Sequence, residues 1–233
     1  MNTQRSIISL LLAFIISFAM SAKTDIDELF SFEKGTFAGM NLKYRKAEVG
    51  DSSKIVVLYL HGGSGQGDDN KSNMKTPAIA DIYNFLNDNG YSFTFIVPQA
   101  PYGQQWMGLA LPALKEMLDT YSDNGQSYIY ILGGSMGGLG TWNMLTAYPG
   151  YFKAAMPVAF DTPKNKIEKY LGTRIYSVVG ADDRRRNIGK CKSFFEKFAK
   201  QGGEAKFDVE NTWGHRQTCE WSFTPERLSW LFK

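Results

Sequence analysis

Ile129-Tyr130-Ile131-Leu132-Gly133-Gly134-Ser135-Met136-Gly137-Gly138 decides the fold of this chain. Four residues with strand character run straight into Gly-x-Ser-x-Gly, and a helical pattern follows over 138–148. The five letters alone are common, and their place between a strand and a helix carries the meaning. A sharp strand-to-helix turn strains the backbone of its middle residue and needs very small neighbours, which Gly133 and Gly137 supply. The helix to the right points its amide-rich N-terminus at the serine and favours negative charge there. Ser135 is therefore the expected nucleophile. The competing reading is a glycine-rich turn after a buried strand.

Outward from this turn, apolar runs alternate with helical patterns. Strands are expected at 55–60, 92–97 (stopped by Pro98), 127–132, 153–160, 173–179 and 205–210, with an edge strand at 42–49. Helices are expected at 77–89, 109–121, 138–148, 188–200 and 225–232. Such alternation implies an α/β fold with a mostly parallel central sheet and helices on both faces. Reactive groups then collect beyond the carboxyl ends of the strands.

Four strand ends carry unusual chemistry: His61-Gly62-Gly63, Ser135, Gly180-Ala181-Asp182-Asp183 and Trp213-Gly214-His215. A serine hydroxyl is a weak nucleophile at neutral pH and needs a base within hydrogen-bond reach. Of the two histidines, His215 lies in a loop after the last strand and is the expected base, while His61 braces a glycine loop. An acid must orient the imidazole. The Gly-x-x-Asp spacing favours Asp183, with Asp182 the alternative and Asp161 a more distant one. Two amides must face the developing oxyanion. Met136 supplies one, and Gly63 is the expected second because a side chain there would obstruct close backbone approach.

These stretches resemble the α/β-hydrolase superfamily of serine hydrolases, and more narrowly small secreted carboxylesterases and feruloyl esterases. The resemblance runs from Lys54 to the C-terminus, with softer matches at Val97-Pro98-Gln99-Ala100-Pro101 and Tyr148-Pro149-Gly150-Tyr151-Phe152-Lys153-Ala154. It implies a Ser-His-Asp triad and an acyl-enzyme intermediate, with no metal or cofactor. The chain departs from the pattern where Val179 precedes Gly180, and in the short 161–171 segment, which leaves little or no lid and an open site for water-soluble or polymer-borne esters.

The 233 residues, 43% of them apolar, suit one sizeable core, expected as a single domain over 23–233. Residues 1–22 read as a signal peptide: a short start ending in Arg5, an apolar run from Ile7 to Met20, then Ser21-Ala22. A retained membrane anchor is the alternative, although the run is short for a bilayer. An exported protein, periplasmic or secreted, with no stable membrane insertion after cleavage is expected. Net charge is +3, or +2 once Arg5 is removed, which does not point to nucleic acid or a charged membrane. Cys191 and Cys219 form a disulfide between the acid and histidine loops or stay as two thiols.

Trp106, Trp213 and Trp221 fall near the reactive end and are expected either to stack on a sugar or aromatic acyl group or to pack in the core. Within Arg184-Arg185-Arg186, one guanidinium is positioned to meet an anionic substrate if the run is not simply solvated. The leading reading is an esterase acting on a small-molecule or polysaccharide-borne ester. A serine peptidase of the prolyl-oligopeptidase type and a non-catalytic binding module are the other two.

Overall fold

The computed structural model describes residues 25–233, except 51–54, 124–125 and 165. The expected signal peptide lies outside the described residues. Ile55–Leu60 (β3) is buried at every position, as a strand covered on both faces must be. Val57 and Tyr59 face one core, and Val56, Leu58 and Leu60 the other. Burying one such side chain contributes about 1.5–3 kcal/mol.

Among the described residues, seven further strands flank it: β1 (Ser31–Phe37), β2 (Met40–Val49), β4 (Phe93–Gln99), β5 (Tyr128–Gly134), β6 (Ala154–Val158), β7 (Arg174–Gly180) and β8 (Ala205–Glu210). Their order is β1-β2-β4-β3-β5-β6-β7-β8. Pairing is parallel from β4 through β8 and antiparallel at β1–β2 and β2–β4. Helices α1 (Pro77–Asp88) and α6 (Pro225–Phe232) cover one face with Ile82, Leu86, Leu228 and Leu231. Helices α2 (Ala110–Tyr121), α3 (Met136–Ala147) and α4 (Ile188–Lys200) cover the other with Leu114, Trp142 and Phe198. The expected mostly parallel α/β sheet with helices on both faces is what forms.

Four expectations need correction. The 42–49 strand is not the edge, because β1 pairs outside β2 through a two-residue turn in which Ala38 and Gly39 both have positive φ (45° and 76°). β4 runs through Pro98: beyond Ile96 it pairs with β2 alone, and a strand bonded on one side tolerates a missing N–H. His215 does not lie in a loop but opens a short helix, α5 (His215–Trp221), packed against α1, β5 and β7.

The fourth correction concerns the cysteines, which are both free. Cys191 is carried by α4, whose phenylalanines pack on one face of the sheet, and Cys219 by α5, which packs with α1 on the other. No bridge can span the sheet. Dithiothreitol is therefore expected to leave the melting temperature unchanged, and a fall on reduction would reinstate the bridge.

Candidate active site

β5 ends at Gly134 and α3 begins at Met136, so the chain reverses direction within one residue. Ser135 takes that turn with φ 58° and ψ −116°, a strained conformation for a residue with a side chain. The crowding explains the glycines. A Cβ on Gly137 would stand 1.7 Å from the Leu60 carbonyl oxygen, and one on Gly133 2.5 Å from that of Gly137. The strain is held by backbone bonds from Ser135 N–H to Val158 O (3.1 Å) and from Leu139 N–H to Ser135 O (3.0 Å).

His215 lies between Ser135 and Asp183, with Nε2 2.8 Å from Ser135 Oγ and Nδ1 2.5 Å from Asp183 Oδ2. Burial pushes the Asp183 carboxyl up, but the His215 hydrogen bond, the Arg185 amide and the Arg186 guanidinium outweigh it, and its pKa lies below the usual range. An ionised carboxylate only accepts, so Nδ1 carries the proton and Nε2 is left to accept from the Ser135 hydroxyl. Asp183 is 3% exposed, whereas Asp182 is exposed and engages its neighbours through its backbone amide, which donates to Trp213 O (3.1 Å). Asp161 accepts from the Asn187 amide (2.8 Å) and serves the turn before α4.

Met136 is the first residue of α3, and Gly63 heads the 3₁₀ helix Gly63–Gly65. Amides at a helix start have no intrahelical partner, so both are free to face an anion. The steric reason expected for Gly63 does not hold, since a Cβ there would meet open space. Gly62 is the residue that approaches Ser135: its Cβ would lie 3.6 Å from that of Ser135. His61 fixes this loop. Its Nδ1–H donates to Gly62 O (2.6 Å), its Nε2 accepts from the Ala100 amide (3.0 Å), and its ring fills the space a Cβ on Gly65 would need.

A cleft of about 530 Å³ opens over Ser135 and His215. Its walls are the 61–65 loop, the Ser72–Thr76 segment leading into α1, Arg185, and Arg216, Cys219 and Glu220 from α5. Among the described residues, none between β6 and β7 lines it. None of the three tryptophans expected near the pocket lines it. Trp106 is fully buried behind the 61–65 loop, its Nε1–H donating to His61 O (3.0 Å), because an indole this large completes the core under α3. Trp213 packs under the Arg227 guanidinium (5.6 Å) and edge-on to Trp221 (5.8 Å), on a separate surface pocket.

Of the three arginines, Arg185 reaches the cleft, and Arg186 lies over Phe160 within 3.5 Å of Asp183. The Ser72–Thr76 wall and Cys219, whose Sγ is 4.0 Å from His215 Nε2, escaped the sequence reading. Arg216 and Glu220 had a signal there, lying one and five residues beyond the histidine. Burial pushes the Cys219 thiol up to about 12, so it stays protonated.

No protein-family model matches the sequence, and no curated protein matches it. Among solved structures the chain is similar to a thermostable esterase at 22% identity and a TM-score of 0.77, covering 89% of this chain and 63% of that one. It thus spans less than two thirds of that esterase. It is also similar to Est1E from Butyrivibrio proteoclasticus (12% identity, TM-score 0.62, 87% and 99% covered). A ferulic acid esterase is similar at 14% identity and a TM-score of 0.62, with 85% and 94% covered. The chain has the α/β-hydrolase fold.

Burial holds the His61 pKa down to about 4, against the opposing bond to Gly62. Its folded pKa lies below the unfolded value near 6.5, so the unfolded chain binds the extra proton between the two. Stability is fully present above about pH 6.5 and falls by about 3 kcal/mol as pH drops to about 4. Urea unfolding at pH 7, 5 and 4 should follow this slope, and His61→Gln should flatten it. An equal slope in both proteins would assign the loss elsewhere.

Proposed function

We propose that this chain is a serine hydrolase that cleaves carboxylic esters through an acyl-enzyme. One observation carries the reading: His215 is hydrogen-bonded to Ser135 on one side and to the buried Asp183 on the other. Ser135 Oγ attacks the ester carbonyl while His215 Nε2 takes its proton. Asp183 keeps Nδ1 protonated and stabilises the imidazolium that forms. The amides of Gly63 and Met136 receive the oxyanion, each contributing about 3 kcal/mol to the transition state. His215 then protonates the leaving alcohol, and a water activated by the same nitrogen releases the acid.

The neighbours named as esterases support ester over peptide substrates. One of them, Est1E, was solved with ferulic acid bound, which brings an aromatic acyl ester into the test panel. The open cleft suits a small-molecule or polysaccharide-borne ester, and an exported protein, periplasmic or secreted, would meet the latter.

Hydrolysis of p-nitrophenyl acetate and methyl ferulate by the mature protein tests the reading. Ser135→Ala should lose at least about 10³-fold in kcat. Asp183→Asn should lose about 10²–10⁴-fold, because an amide no longer holds the required tautomer. Asp182→Asn, altering an exposed side chain, should stay within about threefold. Unchanged activity in Ser135→Ala would remove the nucleophile assignment. Inactivity on all esters would favour the peptidase or binding-module reading.

A further inference from the structure

The wall of the Ser135 cleft has an unusual composition. Ligand sites are usually lined mainly by hydrophobic and aromatic side chains. Among the described residues here, no Leu, Ile, Val, Phe, Met or Trp lines the cleft, and its one tyrosine, Tyr59, is only 2% exposed. A long aliphatic chain would find no large aliphatic side chain to pack against, and an aromatic acid no exposed ring to stack on.

What the wall offers instead is positive charge. Lys75, Arg185 and Arg216 line it, against the single carboxylate of Glu220. That three-to-one excess is local, since the chain as a whole carries 26 basic and 23 acidic residues. The three cations are not equally committed. Arg216 Nε bonds Glu220 Oε1 at 2.8 Å, and Arg185 Nε lies 3.5 Å from Asp183 Oδ1. Lys75 is exposed, and its ammonium has no ion-pair partner among the described residues. An exposed lysine on a convex surface is ordinarily just solvated. In the wall of a cleft that also holds the nucleophile, it adds to a field that draws anions inward.

We infer that the substrate carries a carboxylate close to the scissile ester and that Lys75 receives it. This inference rests on the reading of Ser135 as an ester-cleaving nucleophile. Arg185 and Arg216 raise the potential around the ammonium while keeping their own partners. The carboxylate stands on the acid side or on the alcohol side of the ester, and the same attraction serves both.

Two isosteric pairs test this. Monoethyl adipate against ethyl 5-carbamoylpentanoate varies charge on the acid side. 4-Acetoxybutanoate against 4-acetoxybutanamide varies it on the alcohol side. In at least one pair the carboxylate should be cleaved about tenfold more efficiently in kcat/KM at low salt. Raising ionic strength from about 0.01 M to about 1 M shortens the screening length from about 30 Å to about 3 Å and should bring that ratio towards one. Lys75→Gln should lower the same ratio, which is internal to each variant and so independent of how much protein folds. Equal or faster cleavage of the amide in both pairs would overturn the inference, as would p-nitrophenyl acetate cleavage with neither pair touched. If no ester at all is cleaved in a Ser135-dependent way, the esterase reading itself fails.

Discussion

The close approach of Gly137 to the Leu60 carbonyl is the contact on which the site depends. A Cβ at position 137 would sit 1.7 Å from that oxygen, so the start of α3 is pressed against the end of β3 with only a hydrogen atom between them. Leu60 pairs in register with Gly133, the residue two before the serine. One constraint therefore sets two things together: the strained turn that lifts Ser135, and the departure point of the His61-Gly62-Gly63 loop beside it. Ser135 and the two amides proposed to hold the oxyanion are placed by adjacent parallel strands rather than by flexible segments. Such placement suits a site whose donors must stand ready before charge develops.

A second interlock serves the other half of the site. A Cβ on Gly180 would lie 2.0 Å from the Trp213 carbonyl oxygen, so the acid loop and the histidine turn also meet backbone to backbone. The Asp182 amide donates to that same oxygen. Arg227 on α6 holds the end of β8 through Glu210 and Asp208, and its guanidinium covers the Trp213 ring. His215 thus starts a helix on an anchored turn. Its reach to Asp183 follows from sheet register more than from side-chain freedom.

Much of this was legible in the sequence because the relevant signals are local. Apolar runs leading into glycine turns marked β3 and β5, and helical spacing marked α4 and α6. The Gly133–Gly138 glycines announced the turn because their pattern is local, although Gly137 and Gly138 are small on account of Leu60 and Val158 on neighbouring strands. Features made by partners distant in the chain were not legible. β1 is mostly exposed and broken by Gly35, so it carries no strong alternation. Trp106 and Trp213 lie near the reactive end in sequence, yet their ring faces are set by α3, His61 and Arg227. The pairing of Cys191 with Cys219 looked favourable along the chain and fails only because the sheet stands between them. The polar Ser72–Thr76 wall reads as a connection until α5 is set opposite it.

Reaction of the folded protein with a fluorophosphonate, followed by intact-mass and peptide-mass measurement, addresses the central claim most directly. Such a reagent modifies only a serine whose proton is removed by a base within reach and whose developing charge is held. The expected result is one adduct per chain, on the peptide carrying Ser135, absent after unfolding or after His215→Ala. An unmodified chain, or an adduct on any other residue, would contradict it.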